Sequence, residues 1–421
     1  MIGSMYSGIS GLKANTSAME IIGDNIANVS TTGFKASRAS FANVFSSSLA
    51  QHTPQTGRGA ALQSVQVQWD SGSLESTNSS TDFSINGSGL FVVRDGSTDA
   101  SFYSRAGQFE WDKDGNLVNT DNFIVQGYSI AADGTIGRID NISLPVETNE
   151  PNATENMTFG LNLNSDASDG ATFTSSITTY NSLGSEVVLD VVFTRDIDAT
   201  AVPAIDRWNW TVNTDPTTAT CNTNGYIAFD NDGNLDPAAA VYGEGSPPAT
   251  AGNPVINVSG LTGADDMAVT WTFLNASGAT DGSVTGYSSE STKTAQSQDG
   301  IPSGNLQTVS VDEDGYFSGI YSNGSIIPFA QIALADFPSY SGLTKMGSNL
   351  YSESLSSGQP LVGVPNTASL GSIAPSTLEM SNVDLATEFV EMITTQRAFQ
   401  ANSKVITTSD ELLNELINLK R

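Results

Sequence analysis

Apolar positions gather into two ribbons, one at each end of the chain, with patterns of alternating apolar and polar residues between them. From Leu378 to Arg421 the sequence holds no Gly or Pro, which predicts one long helix. Ser381 with Asp384 three places on predicts a capping box at its start. Leu385, Phe389, Met392, Gln396, Phe399, Ser403, Ile406, Asp410, Leu413 and Ile417 recur at alternating steps of four and three, the spacing of a seam for another helix. A second row, Val390, Ile393, Val405, Leu412, Leu416 and Leu419, widens the apolar face beyond what one partner covers. A helix docked on its own domain accounts for most amphipathic faces. One this long and this broad calls for several neighbours.

The first residues carry the same spacing in Ile2, Met5, Ile9, Leu12, Thr16, Met19, Gly23 and Ile26, and the pattern stops near Ser30 to Gly33. Gly3, Gly8, Gly11 and Gly23 each cost up to about 1 kcal/mol against Ala inside a helix, so this segment needs packing to persist. Both ends are therefore expected to depend on packing partners. The start of the chain lacks the basic residues and the unbroken apolar core of a secretory signal.

Between the ends, turn residues punctuate short alternating runs. Residues 31–71 and 355–377 read as connecting segments, the first partly extended and carrying Phe34, Phe41 and Phe45. Residues 72–145 and 303–354 read as one inner β domain, and 146–302 as an inserted outer β domain rich in Thr, Asn, Gly and Ala. The fold class is therefore mainly β with terminal α-helices, in a nested, discontinuous order: a terminal helical domain from 1–30 and 378–421, then β inside β.

A net charge of −29 on 421 residues favours solubility and disfavours nucleic acid, whose phosphates it would repel. No apolar run approaches the roughly 18 residues of a membrane span. The single cysteine, Cys221, excludes an internal disulfide. Tracts beginning at Asp112, Asp230 and Asp312 imitate the start of a calcium loop, but none has Glu at loop position 12, and hairpin turns explain them better. His52 is the only histidine, so no multi-histidine metal site or Ser-His-Asp triad can be built. Asn86-Gly-Ser-Gly precedes a strand and lacks the full dinucleotide fingerprint. No catalytic, metal or cofactor residue is expected, and no cofactor. An acidic β-rich glycoside hydrolase or a secreted adhesin are the alternatives of other classes, though neither needs heptads at both ends.

Three ordered stretches carry a resemblance. Near the start, Asn25, Ile26, Ala27, Asn28, Thr32, Gly33, Phe34 and Lys35 stand in GDNIANVSTTGFKASR; then come INGSGLFVV and YSRAGQFEWDKDGNLVNTDNFIVQGY; last, LEMSNVDLATEFVEMITTQRAFQANSK and the ending INLKR. Together they resemble the axial proteins of the bacterial flagellum, the rod and hook family. Departures are mild: Leu90 sits where an aromatic is common, and Phe399 where Tyr is frequent. The large insert and the ending favour the hook branch, with a distal rod or other axial protein as the alternative.

The resemblance implies a helical homopolymer whose terminal helices form an inner coiled-coil layer with antiparallel β domains outside. Such a hook is a flexible, curved tube that passes torque from rod to filament. It also implies export through the flagellar type III apparatus without a cleaved signal, to a position outside the cell. The implied partners are the distal rod protein, a hook cap and the hook-filament junction proteins. The expected assembly residues are Ile2, Met5, Ile9, Leu12, Met19, Ile26, Leu385, Phe389, Met392, Phe399, Ile406, Leu413, Leu416 and Ile417.

Overall fold

A computed structural model of the chain describes residues 2–45, 57–131, 134–145, 148–198, 205–215, 219–221, 223–236, 241–242, 253–275 and 279–418. His52 lies outside them, as do Leu419, Lys420 and Arg421. The chain divides into two compact units. The first is Met1–Pro145, Val309–Gly319 and Ile327–Arg421; the second is Val146–Thr308 with Ile320–Ile326.

The first unit holds both helices, α1 (Ile2–Ala27) and α2 (Leu385–Asn418). At 34 residues α2 is about 51 Å long. It begins later than the sequence predicts. Thr377–Glu379 is a strand paired with Leu74–Ser76, Leu74 opposite Glu379, so the Gly- and Pro-free run from Leu378 is not all helix. The cap differs accordingly: Asp384, not Ser381, accepts the N–H of Ala386 at 2.9 Å and the hydroxyl of Thr387 at 2.9 Å. Those two bonds hold the Asp384 carboxyl below its usual range.

The stretch expected to be a partly extended connector is a long antiparallel hairpin, β1 (Ser37–Phe45) with β2 (Gly57–Val67), packed on α1. Its Ser, Ala and Gln content hides it from a hydrophobic reading.

Farther along, Leu90–Arg94 pairs with Ser101–Ser104 and with Ile124–Ile130. The later tract joins the same sheet, Leu334 opposite Phe91 and Ile332 opposite Gly127. The side chains that alternate inward, among them Phe83, Ile85, Phe91, Val93, Phe317 and Leu334, form its core.

The second unit stands on two sheets. One runs Thr172–Tyr180, Glu186–Asp198, Ile205–Asp215, Asn224–Ala228, Val241–Tyr242 as antiparallel neighbours. The other centres on Asn156–Asn162, which pairs antiparallel with Thr292–Gln298 and parallel with Met267–Trp271. Val187, Leu189, Val191 and Phe193 are buried at every second position of one strand, the period of a pleat. With Phe159, Trp210 and Trp271 they make one core. Trp271 sits edge-on to Phe159 and Trp210, at centroid distances of 5.7 and 5.6 Å. Cys221 is half-buried against this core.

The three Asp-rich tracts are turns between strands. Asp112 Oδ1 accepts the N–H groups of Asp114 and Asn116 at 2.9 and 2.7 Å, Asp230 those of Asp232 and Asn234 at 2.9 and 2.8 Å, and Asp312 that of Tyr316 at 2.8 Å. Gly115, Gly233 and Gly315 supply the positive φ each turn needs. The Asx bonds hold Asp112 and Asp230 below the usual carboxylate range, chiefly through the Asn116 and Asn234 amides.

Truncating Trp271 to Ala should lower the stability of the full-length protein by about 3–5 kcal/mol, read by denaturant unfolding followed through circular dichroism. A loss under about 1 kcal/mol would show that this ring is not the centre of its core.

Candidate assembly site

Within one chain the two helices run antiparallel. Ser4 Oγ lies 3.3 Å from Ser409 Oγ, Gly8 faces Ile406 and Asn402, Gly11 faces the Asn402 amide, and Asn25 donates to Glu388 Oε1 at 3.0 Å. The α1 side of this seam is thus Ser4, Gly8, Gly11 and Asn25, with buried Ala18 and Ile22 at matching spacing. A Cβ on Gly11 would come 2.7 Å from Asn402 Nδ2, so small residues set how closely the helices approach. This row is shifted by one from the apolar row read in the sequence.

The α2 side is Glu388, Met392, Thr395, Phe399, Asn402, Ile406, Ser409 and Leu413, each half-buried or buried. Four expected assembly residues, Met392, Phe399, Ile406 and Leu413, therefore face the chain's own α1. Leu385 and Phe389 do not; with Val390, Ile393, Val405 and Leu412 they stay exposed, Val390 at 61%. On α1, Ile9 is exposed at 37%, while Met5, Leu12, Met19 and Ile26 are half-buried. Ile2, Leu416 and Ile417 are helical, but their side chains lie outside the description.

Below the helices the motif residues form a buried junction. The Asn25 side chain bonds both ways to the Ser37 backbone, Nδ2 to O at 2.8 Å and N to Oδ1 at 2.9 Å. Asn28 donates to the Asp24 carbonyl at 2.9 Å and accepts from Thr31 at 3.1 Å, closing the end of α1. The Thr32 carbonyl accepts from Asn349 at 2.9 Å. Gly33 has φ +70°, gives its N–H to the Glu379 carbonyl at 2.7 Å, and leaves no room for a Cβ beside the Ala106 backbone. Phe34 is buried under Lys345, whose Nζ lies 5.6 Å from the ring centroid.

At the centre stands Glu379, which the sequence reading assigned to the helix. Its Oε1 accepts Lys35 Nζ at 2.7 Å and the Gly72 N–H at 2.8 Å, and its Oε2 accepts Arg105 Nε. All three charged side chains are at most 5% exposed. Arg105 donates onward to the carbonyls of Ile85, Gly87 and Gly89, and Lys35 to that of Asp70. Asn382 completes the clasp, accepting the Ala36 N–H at 2.8 Å and donating to Gln68 O and Asp70 O. Burial works against the Glu379 charge, but Arg105 and Lys35 overcome it and hold the carboxyl below its ordinary range. Glu388 moves the other way: burial pushes its carboxyl up, against the bond from Asn25. Glu379, Arg105 and Asn382 went unsingled in the sequence, although all three stand inside the stretches quoted for the resemblance.

This arrangement is one of positioning. Residues 5–35 match the family described as flagella basal body rod protein, 84–160 the flagellar hook protein FlgE/F/G D1 domain, 147–301 the flagellar basal body protein FlaE D2 domain, and 374–419 the flagellar basal body rod FlgEFG protein C-terminal region. The class is that of flagellar rod and hook proteins. The chain is 34% identical to the flagellar hook protein FlgE of Borreliella burgdorferi over the whole of both chains, and 33% identical to that of Escherichia coli over 98% of each. It belongs to the flagellar hook protein FlgE family. The crystal structure of Helicobacter pylori flagellar hook protein FlgE2 shares the fold, with a TM-score of 0.52 at 15% identity over 73% of this chain and all of that one.

Replacing Glu379 by Gln removes the charge both cations need, so stability should fall by about 3–5 kcal/mol. Because the folded-state carboxyl is depressed, its stabilisation is complete above the unfolded pKa and is lost as pH falls through the folded value. Unfolding curves from neutral to strongly acid pH should therefore converge for wild type and E379Q at the acid end; parallel curves would remove the triad from its assigned role.

Proposed function

We infer that this chain is the structural subunit of a bacterial flagellar hook, in which many copies share their terminal helices to build a curved tube that carries torque from rod to filament. The observation that supports this most is α2: one side is used by the chain's own α1, while Leu385, Phe389, Val390, Ile393, Val405 and Leu412 remain exposed. Burying a large apolar side chain stabilises by about 1.5–3 kcal/mol, so each copy brings an unspent association energy of several kcal/mol. Contacts that do not close on themselves propagate as helical filaments.

The role is structural, with no reaction assigned to any side chain. Work is divided between dry helices, which resist sliding, and polar β surfaces, whose hydrogen bonds exchange with water at small net cost. Export through the flagellar type III apparatus to the outside of the cell, growth under a hook cap, and end contacts with the distal rod and junction proteins complete the reading.

Purified protein at high concentration should form tubes of fixed diameter by electron microscopy. Phe389→Asp should abolish them while leaving the unfolding curve of the monomer near that of wild type, because Phe389 is half exposed already. Removing residues 146–302 should leave polymers that are altered in curvature or stiffness. The division of roles is reversed if that deletion abolishes polymers and Phe389→Asp does not. In hydrogen exchange, residues 385–418 should exchange fast in monomer and slowly in polymer; strong protection in monomer would mean that α2 is complete without neighbours.

A further inference from the structure

Packing of the β1–β2 hairpin on α1 leaves a groove of about 740 Å³, floored by Ile9, Ala14, Val44 and Leu62 and edged by Lys13 and Arg58. The hairpin backbone is pressed against the helix here: Gly59 has φ +99°, and a Cβ on it would fall on Ser10. The chain's own α2 cannot fill the groove, since it occupies the Ser4, Gly8 and Gly11 face of α1, and the groove opens along the Tyr6, Lys13 and Ser17 face. We propose that it receives the C-terminal half of α2 from a second copy, through exposed Val405 and Leu412 with Glu411 and Glu415 beside them.

Three observations select that occupant. The first is charge: around Leu412 the sequence carries Asp410, Glu411 and Glu415, with the nearest cations at Lys404 and Lys420, which complements Lys13 and Arg58 at the groove's edge. The second is length. Tyr6 to Ser17 along α1 spans about 17 Å, and Val405 to Glu415 along α2 about 15 Å. The third is exposure: Val405 and Leu412 are 41% and 59% exposed, and neither lies on the row that meets α1. Groove and stripe are different surfaces, so the contact is heterologous, and each added copy presents a fresh groove and a fresh stripe. The inference rests on the polymer reading above and names one of the contacts that build it.

Copolymers of two chains in a Cys221→Ser background, one carrying Ala61→Cys and the other Leu412→Cys, test it. On oxidation they should yield an interchain disulfide dimer, absent from polymers of either chain alone. Normal tubes without that dimer would overturn the docking while leaving the hook reading intact; that reading fails separately if wild-type protein forms no tubes. Should the cysteine chains not assemble, charge reversal decides. Arg58→Glu should raise the critical concentration for assembly about tenfold or more, and Glu411→Arg in the same chain should restore it. A double variant as poor as Arg58→Glu alone would also overturn the docking.

Discussion

The structure of the first unit depends on one carboxylate. Glu379 lies among Lys35, Arg105 and the Gly72 amide, out of contact with water. Its three charges come from three distant parts of the chain: the exit from α1, the inner β sheet, and the approach to α2. Taking such charges out of water costs several kcal/mol per ion, and a buried ion pair rarely outperforms well-packed apolar residues of similar volume. Its contribution is specification. Only one register of Thr377–Glu379 against Leu74–Ser76 brings the carboxyl to both cations, and only that register sets where both helices leave the β structure. The carbonyls of Ile85, Gly87, Gly89 and Asp70 accept four further hydrogen bonds from the two cations, so backbone dipoles offset much of the charge excess.

From that fixed base the helices extend with uneven satisfaction. On the α1 side their mutual seam is mainly Gly, Ala, Ser and Asn, beside Ile22, which allows close approach with little apolar area. Such a seam aligns the helices without exhausting α2. The large apolar residues of α2 lie mostly off the seam, where association of copies can bury them against the translational and rotational cost of joining a polymer. A seam made of the larger residues would have produced a more stable monomer with less reason to assemble.

The sequence made the long helix and the β character of the centre legible, because each has a period that is local. What it hid is nonlocal. Nothing near Leu378 announces a strand; the strand exists because Leu74–Ser76 pairs with it across some three hundred residues. The α1 seam is invisible to a hydrophobic reading, since Gly8 and Gly11 register there only as helix weaknesses. The β1–β2 hairpin hides in polar composition for the same reason. Asn25, Gly33 and Lys35 stood out as members of a motif, but their partners Ser37 O, Ala106 and Glu379 could be named only once the chain was folded.

The second unit offers a different kind of surface from the helices. Among the described residues its core is closed: Trp208, Trp210 and Trp271 are all buried and the inward positions of its long strands alternate without a lapse. Among the described residues, the large apolar ones it leaves exposed, Leu183, Ile197, Val255, Tyr287 and Ile326, come from separate strands and turns. α2, by contrast, exposes six such residues among its described side chains. A surface of the first kind offers a neighbour chiefly Ser, Thr and Asn groups, which can trade partners with water. A surface of the second kind resists separation from its neighbours. A tube that bends without opening needs both: contacts that hold where copies must not part, and contacts that exchange where they must slide.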